Sequence, residues 1–186
     1  LQLRDPALFR NLAYSHGEWI EAKSKRHFDI DGTATHTQER QITSRTQRGR
    51  ELTCNTDPGS GQVFTTCPDL AVEDVEAIVQ SSHRAFEQCR TMNPRTRAEL
   101  LLRWHYLIRE NRDDLAKILT YETGKPLSEA YGELDYASGF TWWFAGEAER
   151  IRGDISTPSA PNRRVLVVKQ PIGVCVALVP WNFPVA

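Results

Sequence analysis

Apolar residues in this chain recur with one spacing near the start, another through the middle and a third near the end. Within residues 14–30, Ser15-His16-Gly17-Glu18 has the composition of a tight turn, and Trp19-Ile20 follows it. Past the polar run Lys23-Ser24-Lys25-Arg26 comes Phe28-Asp29-Ile30, so the segment predicts a short β unit. Asp57-Pro58-Gly59-Ser60-Gly61 places Pro and Gly for a type II turn leading into Gln62-Val63-Phe64. Residues 31–53, between these two, hold four Arg and three acids with almost no apolar residue, and they show neither strand nor helix periodicity. Such a composition cannot offset the entropy of ordering, so it predicts a disordered insertion.

From residue 71 the pattern becomes helical. Val72, Val75, Ile78/Val79, Ser82, Ala85/Phe86 and Cys89 form one stripe, with Asp69 as the expected cap. Asn93-Pro94 predicts a second start, followed by Leu100/Leu101, Trp104 and Leu107/Ile108. Asn111-Arg112-Asp113-Asp114 is expected to separate this helix from another carrying Leu115 and Ile118/Leu119, which Gly124 stops with Pro126 just beyond. A long helix is predicted from Leu127 to Ile151, burying Leu127, Ala130/Tyr131, Leu134, Ala137, Thr141, Phe144/Ala145 and Ala148, with Gly153-Asp154 ending it. A linker over residues 156–162 then leads to two expected strands, 164–169 and 173–179. After Gly173 the second is apolar at every position, the pattern of a strand buried on both faces. Only seven residues follow Val179, so nothing here builds the rest of a parallel sheet. The chain is therefore expected to be the front part of a longer protein.

Composition narrows the function. The 186 residues carry 23 Lys+Arg against 24 Asp+Glu, for a net charge of −1, which argues against a general nucleic-acid or membrane-surface binder. No apolar run approaches the ~18 residues of a membrane span. Cys54, Cys67, Cys89 and Cys175 follow neither a CxxC pattern nor a dense framework, as expected of free thiols in a reducing compartment. Cys175, mid-strand among apolar residues, is expected to be an inert thiol. His83 and His105 stand on separate helices without paired carboxylates, so no metal site is expected. Gly59-Ser60-Gly61 is too short for a phosphate loop. Glu122 and Lys125 beside Gly124 and Pro126 read as a solvated helix stop.

Several motifs together resemble the aldehyde dehydrogenase superfamily. Gln170-Pro171-Ile172-Gly173-Val174 leads to Pro180-Trp181-Asn182-Phe183-Pro184, similar to the entrance and end of that family's first nucleotide-binding strand. Glu122-Thr123-Gly124-Lys125-Pro126 with Glu129-Ala130 is similar to its helix-stop-helix element. His16-Gly17-Glu18-Trp19 stands where the family usually has an Asn-Gly-Glu-Trp turn. Gly132-Glu133, Tyr136-Ala137, Trp143-Phe144-Ala145 and Gly153-Asp154 most resemble the succinate-semialdehyde dehydrogenase branch. The resemblance covers residues 14–30 and 54–186. Residues 31–53 are extra by that comparison and have the composition of a translated intron or misjoined exon.

The resemblance implies an α/β fold, incomplete here. Residues 1–30 would be an N-terminal segment with the first β unit, and 31–53 the insertion. Residues 54–162 would be the helical part of the N-terminal domain. Residues 163–186 would hold an oligomerisation-type strand and the opening strand of a Rossmann-like sheet. It further implies oxidation of an aldehyde by NAD or NADP, with succinate semialdehyde favoured, in 4-aminobutyrate breakdown. In that chemistry a Cys thiolate attacks the carbonyl, hydride leaves to the cofactor, and water cleaves the thioester. Asn182 would be the catalytic side-chain donor to the developing oxyanion, a role its neutral NH₂ suits at any pH. Val179, Pro180 and Trp181 would line the cofactor site. Phe183 would face the aldehyde, and Tyr136 stands equally as a substrate contact or as a packing tyrosine. Trp142-Trp143 reads as packing.

By the same resemblance the nucleophilic Cys, the general-base Glu, the ribose-binding Lys and the loop glycines lie beyond Ala186, so the 186 residues alone should be inactive. The full family member would be a homo-oligomer acting on a small-molecule aldehyde, with no nucleic-acid or membrane partner. It would be cytoplasmic or, alternatively, mitochondrial. Another aldehyde dehydrogenase branch, or a short non-catalytic isoform that binds full-length subunits, remains open.

Overall fold

The computed structural model describes residues 1–29 and 65–186. The expected insertion at 31–53, the turn at 57–61 and the strand at 62–64 lie outside them. Among the described residues, three two-stranded antiparallel ribbons accompany four helices.

The N-terminal segment is tied to the Asp114 carboxylate and to the Glu110 carbonyl. A short 3-10 helix at Pro6–Leu8 is capped by Asp5, whose Oδ1 accepts from the Ala7 N–H at 3.0 Å. The N–H groups of Arg4 and Asp5 both donate to Asp114, at 3.0 and 2.8 Å. Those two bonds, with Lys117 beside them, hold the Asp114 carboxyl below the usual range despite its burial. Next come β1 (Ala13–Ser15) and β2 (Glu18–Ile20). The two residues between them, His16 and Gly17, have φ of 60° and 83°, the left-handed pair that a tight hairpin needs. Tyr14 and Trp19 face each other across it, ring centroids 5.2 Å apart. β3 (His27–Asp29) pairs with β4 (Thr66–Pro68), Phe28 opposite Cys67, so the chain returns to its own strand after residues 30–64.

Four helices follow: α1 (Val72–Cys89), α2 (Pro94–Glu110), α3 (Arg112–Thr123) and α4 (Leu127–Glu147). Asp69 does not cap α1. It lies 3.6 Å from Arg26, while Asp74 in the first turn accepts from the Ala71 and Lys23 N–H groups. α2 starts as expected, with Asn93 Oδ1 accepting from the Arg95 N–H at 2.9 Å. The break before α3 is Asn111 alone, and Gly124 closes α3 in the left-handed conformation, φ 73°. α4 stops at Glu147, short of Ile151, and Asp154 opens a strand instead of ending a helix.

The core sits where α2, α3 and α4 meet. Ala116 and Leu119 of α3 pack on Ala130 and Leu134 of α4, with Ile108, Leu115 and Tyr131 around them. The two alanines are fully buried in this contact. Expected and observed faces differ in detail. On α4, Leu127 and Phe144 are exposed, while Glu133 and Ser138 are buried. On α2, Leu100, Trp104 and Leu107 point outward, and His105 is buried instead. A polar ring is tolerated there because its Nδ1 lies 2.9 Å from the Ser138 carbonyl and 3.3 Å from Thr141 Oγ1. The α1 stripe stays largely open, with Val72 81% exposed.

β5 (Asp154–Ser156) and β6 (Val165–Val167) form the last ribbon, Ile155 opposite Leu166. A side chain on Gly153 would run into the Val167 carbonyl, so only glycine lets the ribbon close there. The expected strand 173–179 is not formed, because no described strand lies beside it to share a ladder. Val176 and Leu178 are 80% and 95% exposed, and Cys175 is exposed rather than buried among apolar neighbours. The α/β class stands, and the described strands pair as these ribbons.

Candidate functional site

The Gly124-Lys125-Pro126 junction organises the best-defined cluster of charges. The Gly124 N–H donates to the Thr120 carbonyl at 2.9 Å and turns the chain out of α3, and Pro126 then starts α4. Lys125 is thereby set between the two helices, its side chain only 14% exposed. Two turns along α4, Glu133 points inward from the same face as Ala130, Leu134 and Ala137. Its side chain is 1% exposed and forms an ion pair and hydrogen bond with the Lys125 ammonium. Glu122, at the end of α3, completes the group. Burial, and after it the charge of Glu133, pushes the Glu122 carboxyl above the ordinary glutamate value. A solvated helix stop does not describe these residues.

The carboxyl-terminal tip of the chain docks on this cluster. Lys125 Nζ donates to the Asn182 carbonyl at 2.9 Å and lies 4.9 Å from the centroid of the Phe183 ring. Glu133 Oε1 accepts from the Val185 N–H at 2.8 Å. Asn182 is thus held by its main chain, while its side-chain amide is exposed and has no hydrogen-bond partner among the described residues. Phe183 lies in the same place. Val179 and Trp181, with Pro180 between them, lead up to it as an open edge, 71% and 75% exposed. Among the described residues their apolar surfaces form an open edge and enclose no pocket.

Tyr136 sits apart. Its ring meets Phe140 edge-on at 4.8 Å and borders an open hollow with Gly139, Trp143 and Phe144. Trp142 contacts His105 across the helix pair, ring centroids 5.4 Å apart. Cys67 lies close enough to Glu122 that burial, then that carboxyl, pushes its thiol above the ordinary value, the opposite of an activated nucleophile. Among the described residues no three His, Cys, Asp or Glu gather as a metal site, and no helix is long and apolar enough to cross a membrane.

In the sequence Glu122 and Lys125 read as a solvated stop and Glu133 has no assigned partner, yet one signal is present. An acid at 133, inside the buried stripe of Ala130, Leu134 and Ala137, requires a partner, and Lys125 lies about two turns back.

Comparison with known proteins follows the same line. The aldehyde dehydrogenase family model matches residues 44–186. The glutarate-semialdehyde dehydrogenase of Pseudomonas putida is 37% identical over 186 residues, 100% of this chain and 34% of the relative. The NADP(+) succinate-semialdehyde dehydrogenase of Escherichia coli is 35% identical over the same length, 33% of that protein. Human mitochondrial succinate-semialdehyde dehydrogenase is 45% identical over 130 residues, 70% of this chain and 24% of the relative. A crystal structure of succinate-semialdehyde dehydrogenase from Burkholderia pseudomallei superposes with a TM-score of 0.81 at 37% identity, covering 98% of this chain and 33% of that one. This chain thus spans about a third of the length of relatives that it matches from end to end. With that breadth of agreement, the chain belongs to the aldehyde dehydrogenase family.

Proposed function

We propose that the whole protein oxidises a short aldehyde bearing an acid group, succinate semialdehyde before others, with NAD or NADP as oxidant. Asn182 supplies an oxyanion donor in this reading. The observation that supports it is the state of Asn182: its main-chain carbonyl accepts from Lys125, and among the described residues its side-chain NH₂ has no hydrogen-bond partner. Holding the main chain places the Asn182 Cβ, and the open NH₂ is then available to donate when the carbonyl oxygen gains charge. The relatives' names favour the substrate class, since glutarate semialdehyde, succinate semialdehyde and 3-sulfolactaldehyde all carry an acid group.

The nicotinamide, when bound, supplies the hydride acceptor. Val179, Pro180 and Trp181 form the apolar edge against which it would rest, and Phe183 flanks the aldehyde. Tyr136 belongs to the substrate side only if a further surface turns the aromatic face of α4 into a channel. In the same reading 31–53 is an insertion, 54–162 the helical part of the N-terminal domain, and 163–186 an oligomerising strand followed by the opening strand of the cofactor sheet. The whole protein is then a cytoplasmic homo-oligomer, with a mitochondrial location as the alternative.

Residues 1–186 alone are proposed to lack turnover, because they span only about a third of the relatives' length. The test is aldehyde-dependent reduction of NAD or NADP with succinate semialdehyde. The whole protein should show it and residues 1–186 should not. Turnover by the 186 residues would refute the division of labour, and no turnover by the whole protein would refute the assignment.

A further inference from the structure

We infer that Lys125 and Glu133 are positioning residues for Asn182, an ion pair whose spare hydrogen-bonding capacity fixes the chain at that residue and again three residues beyond it. This inference rests on the oxyanion role proposed for Asn182. Burying an ion pair removes two charges from water, and the attraction between them seldom more than offsets that cost. A pair that only joined α3 to α4 would therefore gain little over packed apolar side chains. Here each partner makes a second bond, and both of these bonds leave the helices for the tip. The ammonium donates to the Asn182 carbonyl, and the free carboxylate oxygen accepts from the Val185 N–H. Among the described residues these are the hydrogen bonds that anchor residues 180–186.

The mounting is rigid at its base. Glu133 stands on a buried turn of α4, and Lys125 is held between a left-handed glycine and a proline whose ring fixes φ. The ribbon leading to the tip is the reverse, unpaired and exposed. Without the clamp the Asn182 amide would ride on the end of that ribbon, and a donor displaced by about 1 Å loses much of its effect. Phe183 adds a second contact, its ring face lying under the ammonium.

The experiment uses the full 186-residue chain, labelled with ¹⁵N and ¹³C. Lys125→Met should speed hydrogen exchange at the Val185 amide about tenfold or more, and bring the Asn182 main-chain carbonyl ¹³C resonance to its random-coil position. The amides of Leu119 and Leu134 should be unaffected. Lys125→Arg, which keeps the charge, should retain most of the protection. Unchanged Val185 exchange and Asn182 carbonyl resonance in Lys125→Met would overturn the clamp, and so would equal loss in both variants. Should Lys125→Met unfold the helices, the unmutated chain decides. Cross-relaxation between the Lys125 ε-protons and the Phe183 ring supports the clamp, and its absence overturns it. None of these signals depends on turnover, so a failed oxyanion role, seen as undiminished kcat in Asn182→Ala, would leave them intact and is told apart.

Discussion

Glu122 shows how one residue can report on the charge cluster without being part of the clamp. Its carboxyl is pushed above the ordinary glutamate value by burial and by Glu133. The folded chain therefore takes up this proton at a higher pH than the unfolded chain does. The stability contributed is full below the ordinary glutamate value and is lost as pH rises through the folded value. Glu122→Gln removes the titration and mimics the protonated acid. In urea melts from about pH 4 to about pH 8, the variant should gain on the native chain as pH rises. A gap constant with pH, or one moving the other way, would mean that neither burial nor Glu133 raises the Glu122 carboxyl. At this scale the sequence was least informative. Lys125 and Glu122 sit beside Gly124 and Pro126, whose helix-breaking roles account for a stop motif without requiring anything of the charges.

Elements were easier to read where a local cause decides them. Asn93-Pro94 and Gly124 mark helix ends through their own hydrogen bonds and dihedral angles, and the structure places the ends there. Faces were harder, because a helix turns its stripe toward whatever neighbour it meets. α2 presents His105 to α4 and leaves Trp104 outside, a choice made by the Ser138 carbonyl rather than by hydropathy. On α4 the expected Ala130, Leu134, Ala137 and Thr141 are buried. Leu134 is 1% exposed at the centre of the contact with α3. Leu134→Ala should cost about 2–5 kcal/mol in denaturant unfolding, since alanines on both sides leave little to collapse into the space. A loss below about 1 kcal/mol would show that the helices repack freely.

At the scale of the molecule, the apolar ribbon over 173–179 carries the pattern of a strand covered on both faces, while in this chain it lies open. Its hydropathy was legible in the sequence, but its pairing was not, because a ladder requires a partner strand that hydropathy does not locate. PWNFP at its end was likewise legible as a motif. The surface on which it rests was not, since residues 125 and 133 meet 182 and 185 only through the fold. The proposed chemistry then depends on Asn182 donating to charge that develops in the transition state. The most direct measurement is steady-state kinetics of the whole protein with succinate semialdehyde, comparing Asn182 with Asn182→Ala. Loss of an oxyanion donor predicts a fall of about 10²–10³ in kcat with KM little changed. A kcat within about twofold of the unmutated protein would contradict the account.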